Sequence, residues 1–164
     1  MNKQQPRWKH VTYGILILLL VSGCRERQSM SPTSVEDWKV VQVDGALTFR
    51  VPADAEEQHL QAVDTVADLI NGPGYEIMYE YGQFGATIDQ YRSRPGFAAK
   101  ERTVDGHRAQ EASFRAATQN SGLPVVHLLQ IRLEDSNVFT LRLSCVDEAT
   151  CGIYDELFDS VTLR

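Results

Sequence analysis

Two apolar stripes of period two, separated by a short turn signal, constrain this chain more than any other feature. Val125, His127, Leu129, Ile131 and Leu133 occupy every second position, and Phe139, Leu141, Leu143 and Cys145 do so again after Asp135-Ser136-Asn137. Successive strand side chains point to opposite faces, so this spacing predicts two neighbouring antiparallel strands sharing one apolar face. An isolated hairpin is marginal in water, so the remaining chain must supply further strands and a covering layer. Trp38 to Val43 is rich in β-formers and runs into Asp44-Gly45, a two-residue hairpin signal. Leu47, Phe49 and Val51 then alternate with polar residues until Pro52. Tyr75, Ile77, Tyr79 and Tyr81 fall on one face of another strand, with Glu76 and Glu80 on the other. Asp105-Gly106 repeats the hairpin signal ahead of Ala112-x-Phe114-x-Ala116. The expected architecture is an antiparallel meander with one solvated face.

Helical spacing occurs twice. Ile153, Tyr154, Leu157 and Phe158 form an i, i+1, i+4, i+5 stripe, and Asp147 and Glu148 suit the start of a helix. Residues 55–70 admit two readings. Leu60, Val63, Ala67 and Ile70 fit a helical period, whereas Val63 to Ile70 also fits a short strand. A sheet with helices packed on it places the chain in the α+β class, as an antiparallel meander flanked by helices.

The first residues carry a different signal. Lys3, Arg7 and Lys9 precede an apolar run densest over residues 15–21, and no acidic residue occurs before Glu26. That run falls short of the roughly 20 apolar residues that span a bilayer, and it has the order of an export signal. It ends in Val21-Ser22-Gly23-Cys24, which resembles the lipobox of bacterial lipoproteins. The resemblance implies cleavage before Cys24 and acyl chains on its thiol, and two or three such chains hold a protein stably on a membrane. Residue 25 is Arg rather than the Asp that resembles an inner-membrane retention signal. A lipid anchor in the outer membrane, facing the periplasm, is therefore expected. Residues 24–36 are polar and lack apolar periodicity, a tether reaching roughly 20 Å root-mean-square. The expected division is a signal peptide over 1–23, a lipidated tether over 24–36 and one globular domain over 37–164.

Loss of residues 1–23 leaves thirteen Lys and Arg against 22 Asp and Glu, a net charge of −9. Such a balance argues against nucleic-acid binding, which needs a basic footprint. With Cys24 acylated, Cys145 and Cys151 remain as a pair, and an oxidising compartment predicts a disulfide between them.

Few residues suggest chemistry. His127 sits on an apolar strand face, where a neutral imidazole satisfied by a Tyr hydroxyl is expected and a ligand or pH-sensing role is the alternative. Asp105 and His107 flank a hairpin glycine at a spacing that lets them share a face, although turn preference alone explains Asp105-Gly106. No nucleophile elbow, zinc helix motif, phosphate loop or dinucleotide fingerprint occurs, and no metal or cofactor is expected. Gly82-Gln83-Phe84-Gly85 reads as a bend closing the Tyr-rich strand. Tyr75, Tyr79 and Tyr81 have the spacing of core residues; left partly uncovered, they and His127 would line a ligand groove. Arg92, Arg94, Lys100, Arg102 and Arg108 concentrate positive charge within an acidic domain, either as a solvated loop or as a patch for an anionic partner.

Short motifs spread over residues 38–164 carry a wider resemblance. Asp44-Gly45, Phe49-x-Val51-Pro52, Val63-Asp64-Thr65, Tyr79-Glu80-Tyr81-Gly82-x-Phe84-Gly85, Val104-Asp105-Gly106-x-x-Ala109 and Phe158-Asp159-Ser160-Val161 are similar to segments of PsbP-like bacterial lipoproteins, a group that includes DcrB-like proteins and shares the Mog/PsbP fold. The resemblance implies an antiparallel sheet sandwiched by helices and a short extended segment after Asp64. It also implies binding to partner proteins rather than turnover, with no catalytic residue to carry over. The expected function is a membrane-tethered, non-catalytic interaction module with an envelope protein as partner. A periplasmic carrier using the Tyr-lined groove is the alternative, and a hydrolase using Asp105, His107 or His127 a remote one.

Overall fold

Both Asp-Gly signals become tight hairpin turns. Asp44 and Gly45 have φ of 45° and 69°, and Asp105 and Gly106 have 48° and 80°. Consecutive left-handed residues give the turn twist that matches two paired strands. A computed structural model describes residues 35–61, 63–116, 122–133 and 136–164. The expected signal peptide, the lipidated Cys24, all of the tether but Val35 and Glu36, and Asp135 of the predicted turn lie outside the described residues.

The first turn joins β1 (Lys39–Val43) to β2 (Leu47–Val51), and the short β10 (Thr162–Leu163) pairs with the other edge of β2. The second turn joins β6 (Ala98–Val104) to β7 (His107–Arg115). These last two belong to a seven-stranded sheet with β3 (Glu56–His59), β4 (Val66–Gly72), β5 (Tyr75–Gly82), β8 (Val125–Arg132) and β9 (Val138–Cys145), in the order β3-β4-β5-β9-β8-β7-β6. Every pairing within it is antiparallel. The sheet is thus two meanders joined where β5 meets β9, not one continuous meander, because residues 83–97 leave the ladder between them.

The two predicted stripes pair as expected, with Leu129 opposite Leu141 and Ile131 opposite Phe139. The turn between them closes through Leu133 N–H donating to Asn137 O at 2.9 Å. The described elements within residues 55–70 are strands rather than a helix: β3 is fully exposed, and β4 pairs along its length with β5. Asp68 and Asn71 interrupt the helical stripe but tolerate a half-buried strand beside the Tyr-rich one, so cross-strand pairing decides between the two readings.

The layer covering the inner face departs from expectation. It is mainly the β1-β2-β10 sheet, with one helix of six residues, α1 (Tyr154–Asp159), preceded by a 3-10 turn over Thr150–Ile153. The chain remains α+β, but a second sheet replaces most of the expected helical flank. Leu47, Phe49 and Val51 present a three-residue apolar stripe, and Phe49 meets Tyr79 edge-on at 5.4 Å and Phe139 at 6.1 Å between ring centroids. Each such fully buried side chain stabilises by roughly 1.5–3 kcal/mol through removal from water. Leu157, Phe158 and Val161 complete the core. Asp147 starts the terminal helical segment as the charge pattern suggests, its Oδ1 accepting from Thr150 N–H at 2.8 Å.

The outer face is less solvated than a wet-faced meander predicts. Residues 83–97 fold across it, and Ile88, Tyr91 and Phe97 cover Leu128 and Ala112. A polar row across three strands fixes that segment. Ala86 N–H donates to Glu80 Oε2 at 3.1 Å, while Ala86 O accepts from Gln130 Nε2 at 2.8 Å and Thr140 Oγ1 at 3.1 Å. The Phe114 ring stacks on Tyr91 at 4.7 Å on this outer face.

Candidate functional site

The Tyr-rich face is core. Tyr75, Tyr79 and Tyr81 are all buried beneath the small sheet, so their rings share no open groove, and only Tyr81 of the three reaches the lining of a concavity. Tyr79 donates its hydroxyl to Asp68 Oδ2 at 2.8 Å, and burial followed by that carboxylate raises its pKa strongly. Burial alone would raise the Asp68 pKa too. Hydrogen bonds from Leu60 N–H and the Tyr79 hydroxyl, with His59 Nδ1 3.2 Å away, outweigh it and hold the carboxyl below its ordinary range. Tyr75 keeps a buried hydroxyl with no partner among the described residues, its pKa pushed up to about 12 by burial and then by Asp54.

His127 is not satisfied by a Tyr hydroxyl. Its ring instead stacks on Tyr154 at 4.2 Å, its Nδ1 is buried without a hydrogen bond, and burial lowers its pKa. Stacking stabilises a flat neutral ring without using its nitrogens. Asp105 and His107 likewise do not form a pair for catalysis. Asp105 Oδ2 accepts from Leu163 N–H at 2.8 Å, which anchors β10, and His107 is exposed opposite Val104. Among the described residues, no three His, Cys, Asp or Glu side chains converge as a metal would require.

The cationic cluster is spread over separate faces, and Arg92, Lys100, Arg102 and Arg108 are each ion-paired. Lys100 and Arg102 lie opposite Glu111 and Ala109 on the inner face of β6, whereas Arg108, opposite Thr103, belongs to the other face. Arg102 binds Glu111 and Asp155 at 2.8 Å each and Asp159 at 2.5 Å, and covers the Phe158 ring. Burial opposes its charge, but those carboxylates outweigh burial and raise its pKa, and the Arg102 hydrogen bond in turn lowers that of Asp155. Lys100 pairs with Glu111, Arg108 with Glu101 and Arg92 with Asp89. Arg94 is exposed on the segment that follows Arg92. Arg102 therefore acts as a tie between the β6-β7 edge and α1, a role that linear clustering does not reveal.

Cys145 and Cys151 are disulfide-bonded, which joins the end of β9 to the turn before α1. This bond lies at the same end of the sandwich as Val35 and Trp38, where the described chain begins. Lys39 Nζ donates to Ala55 O there, and Trp38 is buried. At that end Trp38, Lys39 and both cysteines are engaged in the fold.

The opposite end is different. Asp44 of the first turn, residues 63–66, the Gly82-Gln83-Phe84 bend and Asn137 surround a concavity of about 550 Å³. Phe84 is 77% exposed and Val63 96%, with Val66 also exposed. Gly82 permits the close approach that forms the concavity: an added Cβ would meet Thr65 Cγ2 at 3.0 Å, Asp64 O at 3.2 Å and Thr65 Cα at 3.3 Å. Asn137 Nδ2 donates to the Tyr81 hydroxyl at 3.2 Å beneath it. Sequence reading of Gly82-Gln83-Phe84-Gly85 finds the bend correctly but passes over its aromatic residue. The available signal is a Phe between two glycines that belongs to no strand period.

No family model matches the chain, and no curated protein matches it. In three dimensions it is similar to cyanobacterial PsbP (CyanoP) from Synechocystis sp. PCC 6803, known as a solution structure. The TM-score is 0.57 at 10% identity, over 83% of this chain and 98% of that one. The chain has a PsbP-like fold, with two antiparallel sheets and one short α-helix among the described residues.

Proposed function

We propose that this PsbP-like chain is a DcrB-like lipoprotein of the cell envelope, anchored through acyl chains on Cys24 in the outer membrane and working by protein contact rather than turnover. One observation carries the contact role: Phe84 and Val63 stand exposed together at the end of the sandwich away from Val35. Contiguous exposed apolar groups rimmed by polar residues mark interaction surfaces. The Val21-Ser22-Gly23-Cys24 sequence supports the anchor, and the Cys145–Cys151 bond suits an oxidising compartment. Engagement of Asp105 and Arg102 in the fold, and the stacking of the half-buried His127 ring on Tyr154, support a non-catalytic role.

The test is in-cell crosslinking of the full-length protein, followed by mass spectrometry of the captured material and of the N-terminal peptide. A diacylated or triacylated Cys24 peptide and one reproducible envelope partner are expected. An unmodified N-terminus would overturn the anchor, and absence of any partner above a matched control would overturn the contact role.

A further inference from the structure

We infer that the concavity between residues 63–66 and the Gly82-Gln83-Phe84 bend is a docking groove for an extended polypeptide segment that carries a large apolar side chain beside a Lys or Arg. The inference rests on the interaction-module reading and specifies the partner that this module takes. Its apolar part is Phe84, Val63 and Val66 above Tyr81, and its charged part is Asp44 and Asp64; no cation lines it among the described residues. Thr65, Gln83 and Asn137 add neutral hydrogen-bonding groups. An acidic or phosphorylated segment would meet like charge there, and a wholly apolar one would leave two carboxylates facing no counter-charge. A basic residue next to an apolar one matches both halves of the lining.

Position and shape agree with this occupant. β1 separates Asp44 from the Val35 end by a strand of five residues, roughly 17 Å, so the groove lies a strand's length from the first described residues. A second copy fits poorly, because a two-fold contact sets Asp44 and Asp64 against themselves. Gly82 and the Tyr81–Asn137 hydrogen bond fix the two walls before any partner arrives, which lowers the ordering cost of binding. A concavity of about 550 Å³ accepts only a few side chains, so an isolated segment binds far less tightly than a standard interface of roughly 1,600 Å².

The experiment uses two labelled nine-residue peptides, one alternating Leu and Lys and one alternating Leu and Glu, titrated into the mature protein by fluorescence polarisation. The Lys peptide is expected to bind and the Glu peptide not. Phe84→Ser is expected to weaken the Lys peptide by about tenfold or more, as loss of an aromatic anchor does, and the pair Asp44→Asn and Asp64→Asn to weaken it and flatten its salt dependence. Asn is chosen because it tolerates the left-handed backbone at Asp44. Equal binding of the two peptides, or no effect of Phe84→Ser, overturns the proposal. Self-association that Phe84→Ser abolishes also overturns it, in favour of a second copy. In cells, a photoreactive residue at position 84 is expected to crosslink to a partner peptide containing a Lys or Arg within two residues of an apolar one. Capture from position 56 on the exposed β3 edge but not from 84 overturns the groove while leaving the interaction module standing. Capture from neither position removes the reading on which the groove rests.

Discussion

The two ends of the sandwich are built from similar residue types put to opposite uses. At the end near Val35, Trp38 is buried, Cys145 and Cys151 are bonded to each other, Lys39 donates to Ala55 O and the half-buried His127 ring stacks on Tyr154, with Val40 and Val146 exposed singly beside them. At the far end, Phe84 and Val63 face outward while Asp44 and Asp64 line the same concavity. Folding stability accounts for the first arrangement, since buried apolar area and satisfied polar groups are what stabilise a domain. It does not account for the second, because an exposed Phe ring contributes little to folding. The difference separates a closed end that holds the structure together from an open end available for recognition.

That contrast predicts opposite outcomes for equivalent substitutions. Trp38→Ala at the closed end should cost about 3–5 kcal/mol, read as a lower urea midpoint, with no change in affinity for the Leu-Lys peptide at equal folded fraction. Loss of affinity without loss of stability would break the contrast. Replacing Cys145 and Cys151 together by Ala should cost about 2 kcal/mol, since the bond closes a short loop. Thermal unfolding of the double variant beside the oxidised parent measures this.

Gly82→Ala sharpens the comparison from the open end. Its Cβ would press on backbone atoms of residues 64 and 65, so a cost of about 1–3 kcal/mol is expected, together with altered amide shifts of Thr65 and Val66. Phe84→Ser should change stability by less than about 0.5 kcal/mol, and a larger loss by chemical denaturation would show that the ring belongs to the core.

The smallest effect concerns pH. Burial holds the His127 pKa below its ordinary value. The unfolded ring, with a pKa of about 6.5, therefore takes up a proton that the folded ring resists. Stability from this residue is full above that value and declines as pH falls toward the folded pKa. His127→Phe, which keeps a flat ring against Tyr154, should flatten the fall in denaturation midpoint between about pH 7 and 5. Asp68 and Asp155, both held below the usual carboxylate range, lose their stabilising contribution only at lower pH.

Strand content was legible wherever period two was long. The stripes Tyr75–Tyr81, Val125–Ile131 and Phe139–Cys145 lie where alternation puts them, and the two Asp-Gly turns follow from the left-handed backbone those residues accept. Shorter signals were ambiguous. Leu60, Val63, Ala67 and Ile70 fit a helical period while Val63 to Ile70 also fits a strand, and the ladder from Val66 opposite Tyr81 to Gly72 opposite Tyr75 settles residues 66–72 as strand. The Arg cluster was ambiguous because linear density ignores the faces of β6 and β7 and the distant carboxylates of Asp155 and Asp159.

The local sequence determined the hairpin turns at Asp44-Gly45 and Asp105-Gly106, the apolar stripes and the Cys145–Cys151 pair. Tertiary structure decided what depends on residues far apart in the chain. It buried the Tyr face under β2, set Arg102 among three acidic side chains from two elements, replaced a helical layer by a second sheet, and left Phe84 in the open. The physical reason is that a strand's period says which side chains share a face, whereas exposure depends on what packs onto that face, and the covering segments here come from tens of residues away.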